Sequence, residues 1–266
     1  MAIYNEPEET MTRDDIEQLQ IERLQSTLNR VSRNVAFYHN TFEQENIDIS
    51  KVKSVKDLSS LPFTTREDLT RSYPYELFAV PLKDIVRMHS TSGTVGDPVI
   101  VGYTRNDLKN WTETTARSLC AAGVTEDDVV QIAFHYNLFT GGFGFHQGAE
   151  KIGASVIPAS STTDAEKQIR IMKDFKTTVL VCTPSYGLNI AETLKELNMH
   201  HEELFLKSGL FGAEPWSNNL REELERNLGL SPFDTYGLSE IMGPGVAAEC
   251  SEKHGLHVNE DHFILE

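Results

Sequence analysis

The chain has 266 residues, a formal net charge of −16 at pH 7, 39% hydrophobic residues and 24% charged residues. This length predicts one large domain or two small ones, and either can bury a core. The acidic balance argues against broad binding to nucleic acid or anionic membranes, because both depend on clustered Lys and Arg. We expect a cytoplasmic protein, because we find no ~20-residue apolar run, no signal-like start and no disulfide framework.

The first 84 residues predict helices joined by short loops. Thr12 to Asp15 form a helix start, and apolar residues follow at helical spacing, which indicates an amphipathic helix over about 13–33. A second start lies at Thr65 to Asp68. We therefore expect a helical N-terminal region, 1–84, followed by an α/β region, 85–266.

A segment rich in hydroxyls and glycines, His89 to Pro98, lies between two apolar runs. Three consecutive hydroxyl side chains precede two glycines, whose backbone can turn and present N–H groups to an anion such as phosphate. The same composition is typical of an ordinary hairpin loop, so that interpretation stays open. No Gly-Lys-Ser/Thr follows the second glycine, which disfavours a P-loop NTPase.

Helices alternate with apolar, β-rich runs from residue 105 onward. The predicted strands lie at 129–134, 154–158, 178–181, 209–212 and 233–236. The predicted helices lie at 105–122, 144–152, 164–175, 184–197 and 218–228. This alternation predicts an α/β fold with a parallel sheet covered on both faces. In such sheets ligands bind beyond the carboxyl ends of the strands.

Polar, aromatic and glycine residues follow several of these strands. The stretch 135–146 combines glycines with aromatics, which indicates either a loop close to a planar or apolar ligand or a turn over core aromatics. Tyr236 offers a ring face for stacking a base, and Ser239 and Glu240 offer oxygens to a hard cation such as Mg²⁺. The segment from His89 to Pro98 would then hold phosphates, and the stretch from Tyr236 to Glu240 would hold a base and a metal.

Several motifs, in the same order, resemble the phenylacetate–coenzyme A ligase family, which belongs to the adenylate-forming superfamily of acyl-CoA synthetases. They are the stretches 90–98, 101–104, 138–142, 148–150, 183–186, 212–216 and 234–240. The resemblance covers nearly the whole chain and implies the fold of the family's large N-terminal domain, a mostly parallel sheet flanked by helices. It also implies a two-step reaction. A carboxylate attacks the α-phosphate of ATP to give an acyl-adenylate and pyrophosphate, and the thiol of coenzyme A then displaces AMP.

The resemblance implies a role for each matching residue. Asp234 would lie near the adenine amino group, Tyr236 would stack on the ring, and the β- and γ-phosphates would bind at Ser90 to Gly96. Ser239, near the α-phosphate, and Glu240, a ligand of Mg²⁺, are the catalytic candidates. The expected nucleotide-binding residues are Ser90, Thr91, Ser92, Gly93, Thr94, Gly96, Ala213, Glu214, Pro215, Asp234, Tyr236 and Gly237. The expected acyl-binding residues are Phe134, Tyr136, Phe139, Phe145 and Ala213.

Three features depart from the family's pattern. Asp97 stands where the family's loop normally has Lys, which predicts weaker ATP binding. Phe145 stands where Ala is usual and would fill space, so we expect an acid other than phenylacetate, with smaller acids among the candidates. The chain stops at Glu266, before the family's ribose-binding motif, hinge and C-terminal domain. We therefore expect a truncated N-terminal part that is weakly active or inactive by itself.

Cys250, His254, His257 and His262 are side chains that suit zinc. Their spacing, C-x₃-H-x₂-H-x₄-H, is not a standard pattern. A solvent-facing loop is the expected structure here, and zinc is the alternative.

The sequence leaves two other functions open. A non-catalytic nucleotide- or acyl-binding module would have kept the fold and lost activity, and an adenylating enzyme could use an acceptor other than coenzyme A. A nicotinamide-binding Rossmann enzyme is disfavoured, because no G-x-G-x-x-G turn follows an early strand. The expected ligands are ATP, Mg²⁺, coenzyme A as a substrate and a small carboxylic acid, with no nucleic acid and no membrane. A homodimer is compatible with the sequence.

Overall fold

The computed structural model describes residues 2–91 and 98–266, and it divides into two compact units. One unit consists of the residues up to 5 together with 108–258, and the other of 6–107 together with 259–266. The predicted domain boundary after residue 84 stays a prediction. Among the helices of the described residues, none has both the length and the apolar character needed to cross a bilayer.

The unit of residues 6–107 and 259–266 is built from helices and one antiparallel hairpin. Its helices are α1 (Glu6–Glu9), α2 (Arg13–Asn34), α3 (Ala36–Gln44) and α4 (Arg66–Arg71), and its strands are β1 (Arg87–Ser90) and β2 (Ile100–Tyr103). The helix predicted over about 13–33 is confirmed, since Thr12 caps α2 by accepting the N–H of Asp15. Thr65 and Asp68 cap the start of α4 in the same way.

The unit that contains residues 108–258 is an α/β sheet with helices on both faces. Its strands are β3 (Val129–Ile132), β4 (Ser155–Ile157), β5 (Val179–Cys182), β6 (Ser208–Gly212), β7 (Ser231–Leu238), β8 (Gly243–Ala248) and β9 (His257–Val258). The remaining helices, of which α5 begins three residues before this unit, are α5 (Arg105–Ala121), α6 (Thr140–Ile152), α7 (Ala165–Phe175), α8 (Pro184–Glu196) and α9 (Asn218–Leu228).

The strand order is β4-β3-β5-β6-β7-β8-β9. The pairs from β4 to β7 are parallel, which confirms the predicted α/β fold with a mostly parallel sheet. The last two pairs, β7 with β8 and β8 with β9, are antiparallel and were not predicted. The start of β8, Gly243-Pro244-Gly245, carries residues that are depleted in strands, so its sequence gives no strand signal.

Two apolar clusters pack against opposite faces of the sheet. Phe145 and Ala149 of α6 belong to one cluster, and Ile190 and Ala191 of α8 belong to the other. Strand β3 pairs with β4 on one side and with β5 on the other, so the connections after β3 and β5 leave toward opposite faces. Such a reversal of strand order opens a crevice at the carboxyl edge of a sheet, which is where ligands bind in this class of fold.

The amino edge of the same sheet carries an ion pair that should make stability depend on pH. Asp128 accepts hydrogen bonds from the Lys207 ammonium at 2.7 Å, the Thr178 hydroxyl at 2.7 Å and the Thr125 N–H at 2.8 Å. Burial alone would raise the pKa of Asp128, but these donors outweigh burial and hold that pKa below its ordinary value. Since the unfolded chain then binds more protons, stability is fully present above the ordinary pKa and is lost as pH falls through the folded-state pKa.

We expect Asp128→Asn to lower the free energy of unfolding at pH 7 and to flatten its decline in acid. Urea unfolding followed by circular dichroism between pH 7 and about pH 3 measures both effects. An acid decline in the variant as steep as that of the wild type would contradict this prediction.

Candidate active site

Two of the predicted motifs leave neighbouring parallel strands at the same edge of the sheet. Gly212, the last residue of β6, lies opposite Thr235 of β7, and the Thr235 hydroxyl donates to the Phe211 carbonyl at 3.1 Å. A Cβ atom on Gly212 would lie 2.5 Å from that hydroxyl oxygen, so a larger residue would push the strands apart. The stretches that begin at Ala213 and at Asp234 are therefore brought together at the carboxyl edge.

Glu214 anchors the loop after β6 to the start of α8. The Glu214 carboxylate accepts the N–H of Ser185 at 2.6 Å, in the first turn of α8. A carboxylate is stabilised at a helix N-terminus by the unpaired N–H groups and the helix dipole. Ala213 has a φ of 69°, which is uncommon for a residue with a side chain. Ala213 and Pro215 are exposed at this edge, while Glu214 is partly buried.

Asp234 lies in β7 and is partly buried. Burial raises the pKa of its carboxyl group, and the nearby charge of Glu249 raises it further. A hydrogen bond from the side chain of Trp216 offsets part of this shift. Because an ionised carboxylate is an acceptor only, Asp234 can receive a hydrogen bond from an amino group.

Tyr236 presents its ring at this edge, with 42% of the residue exposed. The pairing of β7 with β8 shifts register between Tyr236 and Gly237, as in a β-bulge, which re-aims side chains at strand ends. A Cβ on Gly237 would overlap the backbone of Gly243, so the bulge requires glycine. The exposed aromatic face is suited to stacking a planar base.

Ser239 and Glu240 follow in a single turn of 3₁₀-helix, Ser239–Ile241. The Ser239 hydroxyl is buried and lies 2.9 Å from the hydroxyl of Thr140, the first residue of α6. Glu240 is partly buried. Among residues 2–91 and 98–266, no three His, Cys, Asp or Glu side chains cluster as metal ligands. Mg²⁺ is often held by one or two carboxylates together with substrate phosphates, so Glu240 fits the role of its protein ligand.

Of the predicted acyl-binding residues, three follow β3, Phe145 lies in α6, and Ala213 follows β6. Phe134 stacks on Phe145 with a centroid distance of 6.0 Å, and Phe139 lies 6.4 Å from Phe134. Phe134 and Phe145 are both buried in the apolar cluster on this face. The structure therefore places these two rings in the core, and their contact with an acyl group stays a prediction.

Tyr136, another predicted acyl-binding residue, is fixed by α6. Its hydroxyl lies 3.1 Å from Nδ1 of His146, whose Nε2 lies 3.1 Å from the Glu150 carboxylate. Phe143 contacts the Tyr136 ring edge-on at 5.3 Å. Burial raises the pKa of Tyr136 well above its ordinary value, so this hydroxyl is neutral.

Most of the predicted phosphate loop lies outside the described residues. Ser92, Gly93, Thr94, Gly96 and Asp97 are among these, and their predicted roles stay predictions.

The flanks of that loop are hydrogen-bonded as a hairpin. Ser90 donates to the Thr91 carbonyl at 3.1 Å, and the Thr91 hydroxyl accepts the N–H of Val99 at 3.0 Å.

Of the predicted zinc ligands, Cys250 and His257 lie in contact. The buried Cys250 sulfur lies 3.2 Å from Nε2 of His257. His254 is exposed, and His262 belongs to the other unit.

Three residues beside Asp234 received no predicted role. Trp216 belongs to a recognised motif, but nothing in its sequence context shows what its indole contacts. Arg221 and Glu249 form a two-pronged ion pair with both N–O distances at 2.9 Å, although they lie 28 positions apart. No local spacing rule relates such distant residues, so this pair required the structure.

Comparisons with known proteins show the family of this chain. Residues 9–260 match the family model described as AMP-binding enzyme. A phenylacetate-coenzyme A ligase of Pseudomonas putida is 44% identical over 262 residues, and one of Escherichia coli strain K12 is 45% identical over 263. Each alignment covers 98% of this chain and 60% of the relative, so the chain spans about three fifths of their length. The predicted resemblance is confirmed.

Solved structures confirm the fold. A 2-hydroxyisobutyryl-CoA ligase in complex with 2-HIB-AMP and CoA superposes with a TM-score of 0.89 at 24% identity, covering 94% of this chain and 55% of that one. A benzoate CoA ligase from Burkholderia xenovorans LB400 has a TM-score of 0.54 at 17% identity, covering 66% of this chain and 34% of that one. From its sequence match over residues 9–260, the chain belongs to the AMP-binding enzyme family.

Proposed function

We propose that this protein is an ATP-dependent, AMP-forming acid–CoA ligase, which makes an acyl-adenylate from a small carboxylic acid and then a thioester of coenzyme A. The observation that carries the proposal is the meeting of two motifs at one sheet edge. Glu214 and Pro215 follow β6, and the base-stacking and metal-binding candidates Tyr236 and Glu240 lie at the end of β7 and in the turn after it. The 44–45% identity to relatives named phenylacetate-coenzyme A ligase supports this choice of reaction.

Each residue at this edge would act by binding and orienting the nucleotide. Tyr236 would stack on the adenine, Asp234 would accept its amino group, and Glu214 and Pro215 would border the ring. The Ser239 hydroxyl, held by Thr140, would donate to an oxygen of the α-phosphate. Such a site works by positioning the reactants and by neutralising the charge of the phosphoryl oxygens, so it needs no protein nucleophile.

Glu240 would hold Mg²⁺, which when bound neutralises the charge of the phosphate oxygens. Ser90, Thr91 and the residues that follow would hold the β- and γ-phosphates. This part of the proposal rests on the sequence motif.

The acyl group would bind beyond the carboxyl end of β3. Tyr136 offers a neutral hydroxyl held by His146, and Phe139 offers a partly buried aromatic ring. Phe145 stands where the resembled family usually has the smaller Ala, so we propose an acid other than phenylacetate. Coenzyme A is the proposed acceptor, and a cytoplasmic location fits the three cysteines, which are all free thiols.

Acid-dependent exchange of labelled pyrophosphate into ATP, measured on a version of this chain extended to the length of its relatives, tests the reaction across a panel of small aryl and aliphatic acids. We expect exchange that requires an acid and is highest with an acid other than phenylacetate. Glu240→Gln should lower the exchange rate by roughly 100-fold or more, since it removes a charge that binds the metal at the reacting phosphates.

Lys173→Met, in an exposed ion pair on α7, is the control and should leave the exchange rate unchanged. ATP binding without exchange for any acid would contradict the ligase and favour a nucleotide-binding module. No ATP binding at all would overturn both functions.

A further inference from the structure

We infer that Trp216, Arg221 and Glu249 are positioning residues that hold Asp234 in place and thereby set the preference for adenine over purines that lack its amino group. This inference rests on the proposed function, in which Asp234 accepts the adenine amino group. None of the three belongs to the set of ligand-binding residues predicted from the sequence.

Glu249 holds the backbone of Asp234 from two directions. Its carboxylate accepts the Asp234 N–H at 2.8 Å, and its own N–H donates to the Asp234 carbonyl at 2.9 Å. Arg221 in turn holds the Glu249 carboxylate with two hydrogen bonds of 2.9 Å and donates to the Pro232 carbonyl at 2.9 Å. The side chains of Arg221 and Glu249 are only 19% and 8% exposed, so water competes weakly for these bonds.

Trp216 is the neighbour of the Asp234 carboxylate. The indole N–H is the one donor of its side chain, and its interaction with Asp234 lowers the pKa of that carboxylate. The Arg221 guanidinium covers the Trp216 ring at 4.5 Å, and the Phe211 ring lies 5.7 Å from it. Arg221 therefore supports the backbone of Asp234 through Glu249, and it also packs on the ring of Trp216.

A fixed carboxylate discriminates between bases by chemistry. Adenine presents an amino donor at its 6-position, whereas hypoxanthine presents a carbonyl acceptor there, which cannot donate to a carboxylate. A site built to receive an N–H group rejects an analogue that lacks it, because a buried polar group is then left unpaired. A carboxylate that could rotate away to water would lose much of this selectivity, so preorganisation by the network is what gives the preference.

The test compares ATP with inosine triphosphate, using calorimetric Kd values of the full chain. Trp216→Phe keeps a ring between Phe211 and Arg221 but removes the indole donor. We expect the Kd of ATP to rise about tenfold and that of inosine triphosphate to stay within twofold, so that the ratio of the two affinities falls. If Trp216 had a merely structural role, its replacement would weaken the binding of both nucleotides equally.

Trp111→Phe is the matched control. The Trp111 indole is buried in the same unit and donates to the Pro244 carbonyl at 2.9 Å, so this variant also loses one indole hydrogen bond. Its nucleotide preference should equal that of the wild type. Arg221→Lys, which keeps the charge but loses the paired hydrogen bonds, should lower the preference as well, and it decides the matter if Trp216→Phe does not fold.

Asp234→Asn separates the adenine contact from the network that supports it. If Asp234→Asn lowers the ATP preference while Trp216→Phe and Arg221→Lys leave it unchanged, the network has no positioning role and the proposed function stands. If the wild type binds both nucleotides equally, the adenine contact and the network inference both fail. Absence of any nucleotide binding overturns the proposed function together with the inference.

Discussion

Arg221→Met lowers the free energy of unfolding by about 3 kcal/mol, because it leaves the Glu249 carboxylate buried without its partner. Removing one member of a buried ion pair costs about 3–5 kcal/mol. We expect the lower end, since 19% of the Arg221 side chain is exposed. The Asp234 N–H still donates to Glu249 in the variant, which also reduces the loss. Urea unfolding followed by far-UV circular dichroism measures the change.

The matched control is Lys173→Met, which breaks the ion pair between Lys173 and Glu203 with an N–O distance of 2.8 Å. Both side chains are exposed, and a pair of this kind contributes little to stability, because water and salt screen the two charges. The contrast between two ion pairs of nearly equal length therefore isolates the effect of burial. Equal losses in the two variants would show that Glu249 is hydrated and that the network beside Asp234 is loose.

Phe145→Ala is expected to lower the free energy of unfolding by about 3–5 kcal/mol, the usual cost of emptying a buried aromatic site. Phe145 is 2% exposed and stacks on Phe134 with an interplanar angle of 7°. Phe145 belongs to a buried apolar cluster, so the removal of its ring leaves a cavity.

Phe175→Ala is the control for this prediction. Phe175 ends α7 and is 61% exposed, so its loss should change the free energy of unfolding by no more than about 0.5 kcal/mol. A loss below about 1 kcal/mol for Phe145→Ala would mean that the ring faces an open pocket rather than the core. In that case Phe145 would limit acyl size by direct contact.

Local patterns were enough to predict most of the α/β fold. Helical spacing and a capping box predicted α2, and apolar runs between helices predicted the strands from β3 to β7, because periodicity and caps are properties of neighbouring residues. Helix α6 begins at Thr140, four residues before its predicted start, since Gly141 and Gly142 disfavour helix in isolation. The packed structure nevertheless requires glycine in this helix, because a Cβ on Gly142 would lie 2.7 Å from the His135 carbonyl oxygen.

The candidate site likewise contains residues that the sequence predicts and contacts that only the structure shows. The sequence by itself determined the family, the parallel sheet and the identity of Asp234, Tyr236, Ser239 and Glu240 as candidate ligand residues, because each lies within a short motif. Only the tertiary structure decided that Glu249 and Arg221 hold Asp234, that Thr140 meets Ser239, and that Phe145 lies in the core. These contacts join residues 15 to 99 positions apart, or depend on how side chains fill a closed space. Chain spacing carries no information about either, since both arise only when the strands and helices pack.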